Sequence, residues 1–280
     1  MKKLYISLIL LLNSNYLFSE VLPALSGAAS EEPHKAVYKW SNSSYVGYAW
    51  STKAGITNPD QSFFTPVAPG ETDDDTLGGI SYAGISLSHN MCHWLSVGVG
   101  YEIYNGFVYQ SYHLFSSLAS GSFGREIINS NFIRSFSLTH QSALFSVYVD
   151  FPHEWQPVYG NFTITPVLGG GLGVGINKMT NFQTLVLSSG GLPYSQLSTL
   201  GFNNLKNSLA WFVNVGVGFK PKNTTATFGL SYRYYVGGMF SSGTQFVLND
   251  PTNEGAIVDA APWTGVLKTN QLKLFLDFEF

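Results

Sequence analysis

The chain has 280 residues, of which 11% are charged and 15% are aromatic, and its formal net charge is −3. An average soluble domain carries about 25% charged residues; here 29 glycines and many aromatic residues take the place of the missing charge. Disorder is excluded, because disordered chains have few aromatic residues. The absence of a basic patch argues against a nucleic-acid partner. A single long apolar run, at the N-terminus, argues against a bundle of membrane helices.

The N-terminal segment has the pattern of a cleaved export signal. Lys2 and Lys3 precede an apolar stretch over 4–12, and small residues follow at 19 and over 26–29. This order of basic, apolar and small residues is typical of a secretory signal peptide. We therefore predict a signal peptide over residues 1–19, with cleavage between 19 and 29.

Eight segments with period-two alternation follow the signal. Each places apolar side chains on one face and small or polar side chains on the other, which predicts a β-strand with one apolar face. The segments span roughly 44–54, 77–88, 94–104, 138–151, 162–176, 209–220, 225–236 and 271–280. In the last of them Leu272, Leu274 and Leu276 lie opposite Gln271 and Lys273.

The connections between these segments alternate in length. The short ones lie around 90–93, 152–160 and 221–224, and the long ones around 55–76, 105–137, 177–208 and 237–269. Transmembrane β-barrels have short periplasmic turns and long outer loops, and a tilted strand needs about 9–11 residues to cross the bilayer. We therefore predict an all-β fold, an antiparallel up-and-down transmembrane barrel of eight strands over 44–280, after a periplasmic segment at 20–43. Ten or twelve strands remain open if the long loops contain membrane-spanning hairpins.

Two stretches resemble a known family. The terminal sequence KLFLDFEF resembles the recognition signal of Gram-negative outer-membrane barrels, with Lys273 at its polar position and Phe278 and Phe280 at its aromatic positions. The stretch TPVLGGGLGVG, over 165–175, resembles the glycine-rich strand of opacity-type and outer-membrane-protein-A-like eight-stranded barrels. The resemblance implies a location in the bacterial outer membrane. It also implies contact with outer-membrane lipid and lipopolysaccharide, and with the barrel-assembly machinery during biogenesis.

Four charged residues are expected to point into the barrel lumen, namely Lys53, Glu102, Asp150 and Arg233. Charge buried in a narrow barrel must be paired or hydrated. One interpretation is a structural network that plugs the barrel, and the other is the gate of a small pore. The pore remains open as an alternative because many inward positions carry glycine, which leaves room for a narrow passage: Gly98, Gly100, Gly169, Gly171, Gly173, Gly216 and Gly218.

His140 and Ser142 share one face of a predicted strand. A His-x-Ser pair resembles the catalytic pair of outer-membrane lipid A deacylases, in which the histidine activates the serine. Spacing identifies no orienting carboxylate, and Ala143 stands where those enzymes carry a polar residue. We therefore predict no catalytic residue, and lipid A modification is only the third hypothesis.

No metal site and no cofactor are predicted. The acidic residues at 71 and 73–75 lack the spacing of a calcium loop, and the six histidines show no metal-ligand spacing. The predicted function is that of a non-enzymatic surface protein, either an opacity-like adhesin or antigen or a structural barrel, whose long loops face host surface molecules. The alternative is a small porin for small or hydrophobic solutes.

Overall fold

A computed structural model describes residues 39–56, 76–92, 94–121, 124–151, 155–189, 198–201, 203–249, 257–259 and 262–280. The predicted signal peptide at 1–19 and the acidic residues at 71 and 73–75 lie outside the described residues. Within the described part of the chain, no helix is long and apolar enough to cross a membrane.

The described residues form twelve β-strands. In chain order these are β1 (Trp40–Ser51), β2 (Gly79–Cys92), β3 (Leu95–Gly121), β4 (Gly124–Val149), β5 (Val158–Tyr159), β6 (Phe162–Ser189), β7 (Ser198–Gly201), β8 (Asn204–Pro221), β9 (Ala226–Ser241), β10 (Gln245–Asn249), β11 (Ile257–Asp259) and β12 (Thr264–Glu279).

Eight of these strands close into a barrel. The wall follows the order β1, β2, β3, β4, β6, β8, β9 and β12, and every neighbouring pair is antiparallel. The last strand pairs back onto the first, with Leu274 of β12 opposite Val46 of β1. Closure leaves the wall without a free edge along most of its length. The predicted all-β, eight-stranded, up-and-down barrel is therefore confirmed.

The barrel has a turn side and a loop side. On the turn side short connections join β2 to β3, β4 to β6 and β8 to β9. On the loop side longer segments join β1 to β2, β6 to β8 and β9 to β12, and the long strands β3 and β4 meet in a hairpin. The short strands β7, β10 and β11 pair in series onto the loop-side end of β6 and do not join the wall. The alternative of ten or twelve wall strands is therefore wrong.

The largest departure from the predicted boundaries is the hairpin of β3 and β4. The predicted loop at 105–137 is mostly strand, since β3 has 27 residues, β4 has 26, and only 122–123 separate them. Beyond the predicted strand ends, towards the loop side, the inner face of these strands stays apolar, because Phe107, Tyr109 and Phe136 are buried there. Backbone pairing and buried inner side chains thus extend the barrel into a region that lies between the predicted strands and was expected to be a loop.

Aromatic rings cover several of the inward glycines. A Cβ atom on Gly169 would collide with the ring of Tyr148, and one on Gly171 with the ring of Phe212. The same relation joins Gly229 to Phe275 across the sheet. Rings can lie flat over glycine because no Cβ atom holds them away from the strand. The expectation that these glycines leave room for a passage is therefore wrong at 169 and 171, where a ring fills the space.

Candidate functional site in the barrel lumen

A buried ion pair crosses the middle of the lumen. Arg233 of β9 donates from Nη1 to Oε1 of Glu102 on β3 (2.5 Å) and from Nη2 to Oε2 (2.6 Å). Tyr45 and Tyr104 donate to the same carboxylate at 2.8 and 2.9 Å, and the Nε of Arg233 donates to Gln271 at 2.7 Å. Both charged side chains are fully buried. This bidentate geometry is the strongest form of a carboxylate–guanidinium pair, so the two charges bind each other across the lumen.

Three aromatic rings surround the guanidinium of Arg233. Its Cζ lies 4.7 Å from the ring centroid of Phe212, 4.9 Å from that of Tyr235 and 5.6 Å from that of Tyr82. The negative faces of aromatic rings attract a cation at these distances. The rings also occupy the space around the ion pair, so that they and the charges together close the lumen at this level.

The lumen on the loop side of the ion pair is filled by an aromatic and aliphatic core. The ring centroids of Tyr109 and Phe136 lie 4.8 Å apart, and those of Phe182 and Trp263 lie 5.3 Å apart. The other members are also buried: Leu77, Phe107, Leu138, Met179, Phe240 and Leu267. We call this set the loop-side core. These side chains are buried against one another, and tightly packed side chains exclude water, so the loop-side core closes the barrel a second time.

His140 lies between the ion pair and the loop-side core. Asn177 donates its amide nitrogen to the carbonyl oxygens of Gly237 (2.9 Å) and Met239 (3.0 Å), so its Oδ1 faces the His140 ring. The Nδ1 of His140 therefore donates to this oxygen at 2.7 Å, and its Nε2 accepts from the hydroxyl of Tyr235 at 2.6 Å. Both ring nitrogens thus have partners other than Ser142.

Ser142 has a different partner from the one that catalysis would need. Its hydroxyl donates to Oε2 of Glu102 at 3.4 Å. A nucleophilic serine has to give its proton to a base within hydrogen-bond reach, but His140 binds Asn177 and Tyr235 instead. Both His140 and Ser142 are fully buried. This arrangement positions the pair for packing and hydrogen bonding.

At the loop-side end of the seam between β8 and β9, where the two strands adjoin, hydrogen bonds from side chains take the place of backbone pairing. Backbone pairing of these strands ends where Trp211 faces Val236. Beyond that point Ser208 donates to the carbonyl of Met239 at 3.1 Å, and Asn204 donates to that of Ser241 at 3.1 Å. Asn177 completes the set from β6. Unpaired carbonyls are costly away from water, so these side chains stabilise the seam.

Replacing Asn177 with leucine is expected to lower the free energy of unfolding by about 1–2 kcal/mol, because the carbonyl of Gly237 and the His140 ring lose their partner and the carbonyl of Met239 keeps only Ser208. The measurement is urea-induced unfolding of the refolded protein, followed by tryptophan fluorescence. Asn207→Leu is the matched control, because Asn207 is exposed on β8. Equal stability of the two variants would contradict the bridging role of Asn177.

Two of the four charges expected in the lumen are not part of the central ion pair. Lys53 follows the end of β1 at Ser51, and its side chain is exposed. The inward expectation for Lys53 is wrong, because strand alternation stops before that residue. Asp150 lies just beyond β4 at the turn side, where Ser96 donates to its Oδ1 at 3.3 Å. Burial raises the pKa of the Asp150 carboxyl above its usual range.

The terminal strand contributes to both the lumen and the wall. Lys273 is buried inside the barrel, with its Nζ 4.7 Å from the ring centroid of Tyr45. Phe278 lies in the ladder between β1 and β9, and Phe280 exchanges backbone hydrogen bonds of 2.9 and 3.1 Å with Trp40. The segment thus closes the barrel, and its role as an assembly signal stays a prediction.

Sequence reasoning missed the neutral partners of the lumen charges. Tyr45, Tyr104 and Gln271 all bind Glu102, Arg233 or each other. Alternation places Tyr104 on the same face as Glu102, two residues away. A tyrosine on the inward face beside a buried charge could therefore have been predicted to bind that charge. Among the described residues, no group of three histidine, cysteine, aspartate or glutamate side chains could hold a metal ion.

No protein-family model and no curated protein sequence matches the chain. Several solved structures are similar to it. Neisserial surface protein A (NspA) is 14% identical, with a TM-score of 0.35, over 86% of this chain and 97% of that chain. The outer membrane protein OprG from Pseudomonas aeruginosa is 14% identical, with a TM-score of 0.39, over 86% and 95%. The outer membrane protease OmpT from Escherichia coli is 10% identical, with a TM-score of 0.43, over 87% and 96%.

Proposed function

We propose that the chain is a sealed β-barrel of the bacterial outer membrane, and that it acts as a non-enzymatic surface protein presenting its long β3–β4 hairpin outside the cell. The observation that carries this proposal is the closed lumen. The ion pair of Glu102 and Arg233 and the loop-side core both block it. A barrel without a passage offers its outer strands and loops as the functional surface.

The outward face of the wall supports a membrane location. Large apolar side chains that are exposed lie on successive strands, among them Val99, Ile103, Leu172, Leu209 and Leu274. Soluble monomers rarely expose apolar patches larger than a few hundred square ångströms. A belt of this kind around a closed barrel is typical of the surface that faces lipid chains.

Aromatic residues border this apolar belt at both ends. Trp40 and Trp94 are exposed on the turn side, and Trp50 and Trp211 are exposed towards the loop side. Trp40 and Trp50 are ten residues apart on β1, which is about 33 Å along the strand and about 25 Å along an axis tilted by about 40°. Tryptophan favours the interface between lipid and water, and the spacing fits the hydrocarbon core of an outer membrane.

The β3–β4 hairpin supports a role outside the cell. A tilted strand needs about 9–11 residues to cross the bilayer, whereas β3 has 27 and β4 has 26. More than half of each strand therefore lies beyond the membrane. Rigid scaffolds commonly carry their function on such projecting segments. We propose lipopolysaccharide as the lipid partner in the outer leaflet and host surface molecules as partners of the hairpin.

An inserted epitope tests this orientation. We expect a short epitope placed between residues 122 and 123 to be labelled by antibody on intact cells. The same epitope placed between 222 and 223, in the turn that joins β8 to β9, is the matched control and should be labelled only after the outer membrane is permeabilised. The opposite pattern, or labelling of neither site after permeabilisation of a folded barrel, would contradict the proposed orientation.

A shortened hairpin tests the surface role. Residues 111 and 134 are paired across the hairpin. Deletion of 112–133 therefore joins β3 and β4 without changing their register, and a tight turn can connect them. We expect the shortened barrel to fold, to remain heat-modifiable in gels, and to lose attachment of expressing cells to host surfaces. Undiminished attachment by a variant that is folded and present at the surface would contradict the adhesive role of the hairpin.

A further inference from the structure

The outward face of three neighbouring wall strands changes from apolar to polar towards the loop side. Pairing aligns β4, β6 and β8, so that residues directly opposite one another form rows across the wall. Residues in one row point to the same side of the sheet. Two successive rows are exposed and apolar, and they consist of Phe145, Leu172 and Trp211 and then of Ala143, Val174 and Leu209.

Polar side chains predominate in the next two rows towards the loop side. The first of these rows contains Gln141 of β4 and Asn207 of β8, which flank Ile176. In the second row Thr139 of β4 lies directly opposite Lys178 of β6. The four polar side chains are exposed, and we call them the rim patch. Diagonal neighbours across a ladder are about 7–8 Å apart, so one ligand can contact Lys178, Gln141 and Asn207 together.

Lys178 gives the rim patch a positive charge that no described carboxylate balances. Among the described residues, Lys178 takes part in no ion pair. The described acidic residues lie in the lumen, at the turn side or on β11, and they are Glu102, Asp150, Asp259, Asp277 and Glu279. Asp259 on β11 is separated from β6 by β10 and β7. An exposed lysine near a membrane attracts anionic lipid headgroups, so the rim patch favours a negatively charged lipid.

The neutral members of the rim patch offer both hydrogen-bond donors and acceptors. Tyr101 donates to Oε1 of Gln141 at 2.7 Å, which fixes the amide and leaves its nitrogen to donate to another group. Thr139 donates to the carbonyl of Lys178 at 3.4 Å, so its hydroxyl oxygen can still accept. The Asn207 amide supplies one more donor and one more acceptor. Sugar hydroxyls need partners of both kinds, and a phosphate needs donors and a cation.

The position of the rim patch matches the headgroup layer of the outer leaflet. Trp211 is exposed at the loop-side border of the apolar belt, where tryptophan favours the interface between lipid and water. Asn207 stands four residues beyond Trp211 on β8, which is about 13 Å along the strand and about 10 Å along an axis tilted by about 40°. The rows at Phe145 and Ala143 therefore face acyl chains, and the rim patch faces headgroups.

From this arrangement we propose that the rim patch is a binding site for one lipopolysaccharide molecule on the outer surface of the barrel. The Lys178 ammonium binds a phosphate of the headgroup, and the Gln141 and Asn207 amides and the Thr139 hydroxyl bind its sugars. The acyl chains lie along the exposed apolar rows of β4, β6 and β8. The site rests on the proposed outer orientation of the loop side, because lipopolysaccharide occupies the outer leaflet.

The test uses native mass spectrometry of the refolded full barrel in a non-ionic detergent. Deep-rough lipopolysaccharide, which consists of lipid A and inner-core sugars, is titrated into the sample, and the same lipid without its phosphates into a second. We expect one molecule to bind saturably in the first titration and clearly more weakly in the second. An equal concentration of phosphatidylglycerol, an anionic lipid without a phosphorylated sugar, should leave the bound molecule in place. Displacement by phosphatidylglycerol would overturn the preference for lipopolysaccharide.

Lysine variants separate the rim patch from general attraction by positive charge. Lys178→Met should weaken binding about fivefold to tenfold, as the loss of one lysine next to an anionic headgroup implies, whereas Lys178→Arg should preserve it. Lys206→Met is the matched control, because Lys206 is exposed but alternation places it on the opposite face of β8 from Asn207. Heat-modifiability shows that each variant is folded. Unchanged binding by Lys178→Met, or equal losses in Lys178→Met and Lys206→Met, would overturn the site. The epitope experiment tests the orientation separately, so the two proposals can fail independently.

Discussion

Replacing Arg233 with methionine is expected to lower the free energy of unfolding by about 3–5 kcal/mol, because the substitution leaves Glu102 as an uncompensated charge in the lumen. Glu102 is fully buried and receives both guanidinium hydrogen bonds from Arg233. Tyr45 and Tyr104 remain as donors, but neither supplies a positive charge. The measurement is urea-induced unfolding, read by tryptophan fluorescence and by the gel shift of the unheated protein.

The double variant Glu102→Gln with Arg233→Met is the control for this experiment. A well-packed neutral pair in place of a buried ion pair is often close to neutral in stability, so we expect the double variant to recover most of the loss. An additive loss in the double variant would show that packing around Arg233, rather than its charge, stabilises the barrel. Unchanged stability of Arg233→Met alone would contradict the structural role of the ion pair.

Replacing Gly175 with valine is expected to destabilise the barrel by about 3 kcal/mol, because β6 and β9 meet there without room for a side chain. A Cβ atom on Gly175 would overlap the carbonyl oxygen of Gly237 and would lie 3.0 Å from Cε1 of His140. The carbonyl belongs to the backbone, which cannot move aside as the end of a flexible side chain can. Urea-induced unfolding measures the effect.

Gly170→Val is the matched control for Gly175→Val. Gly170 lies on the same strand, and its added Cβ would lie 3.1 Å from the backbone carbonyl oxygen of Phe212, a tight contact that a shift of a few tenths of an ångström relieves. We expect a clearly smaller loss there than at Gly175, since the contact is looser and valine suits an outward position of a strand. Similar losses at both positions would contradict the close approach of β6 and β9 and would point to a general intolerance of β6 to larger residues.

The sequence contains enough information to predict the barrel, because alternation and turn spacing are local properties. Eight alternating segments gave the eight wall strands, and the terminal segment ending at Phe280 lies where the last strand must meet the first. The inward faces also follow from alternation, which places Glu102 and Arg233 on the lumen side. These features depend on residues two apart in one strand, so a single sequence suffices.

The partners within the lumen depend on strand register and are not local. Glu102 and Arg233 are 131 residues apart in the chain, and alternation assigns each of them a face but no height in the barrel. The same limit applies to His140, whose partners Asn177 and Tyr235 come from two other strands. It applies also to Lys53, since the end of β1 at Ser51 depends on pairing with neighbouring strands.

The length of β3 and β4 is a second feature that the local alternation pattern did not predict. Gly106 has a φ of 94° and lies at a register shift between Tyr104 and Phe107. Such a bulge reverses the phase of alternation, so a strict period-two pattern ends there although the strand continues. The predicted loop at 105–137 therefore began at a bulge and not at a turn.

The central claim, that the barrel is sealed, is tested most directly by single-channel recording of the refolded wild-type protein in a planar lipid bilayer. Insertion is established in parallel by heat-modifiability and by flotation with liposomes, and a general porin prepared in the same way serves as the positive control. We expect inserted wild-type barrels to give no discrete conductance, because the ion pair and the loop-side core both close the lumen. Reproducible discrete steps from the inserted barrel would contradict the sealed lumen and would establish the small porin instead.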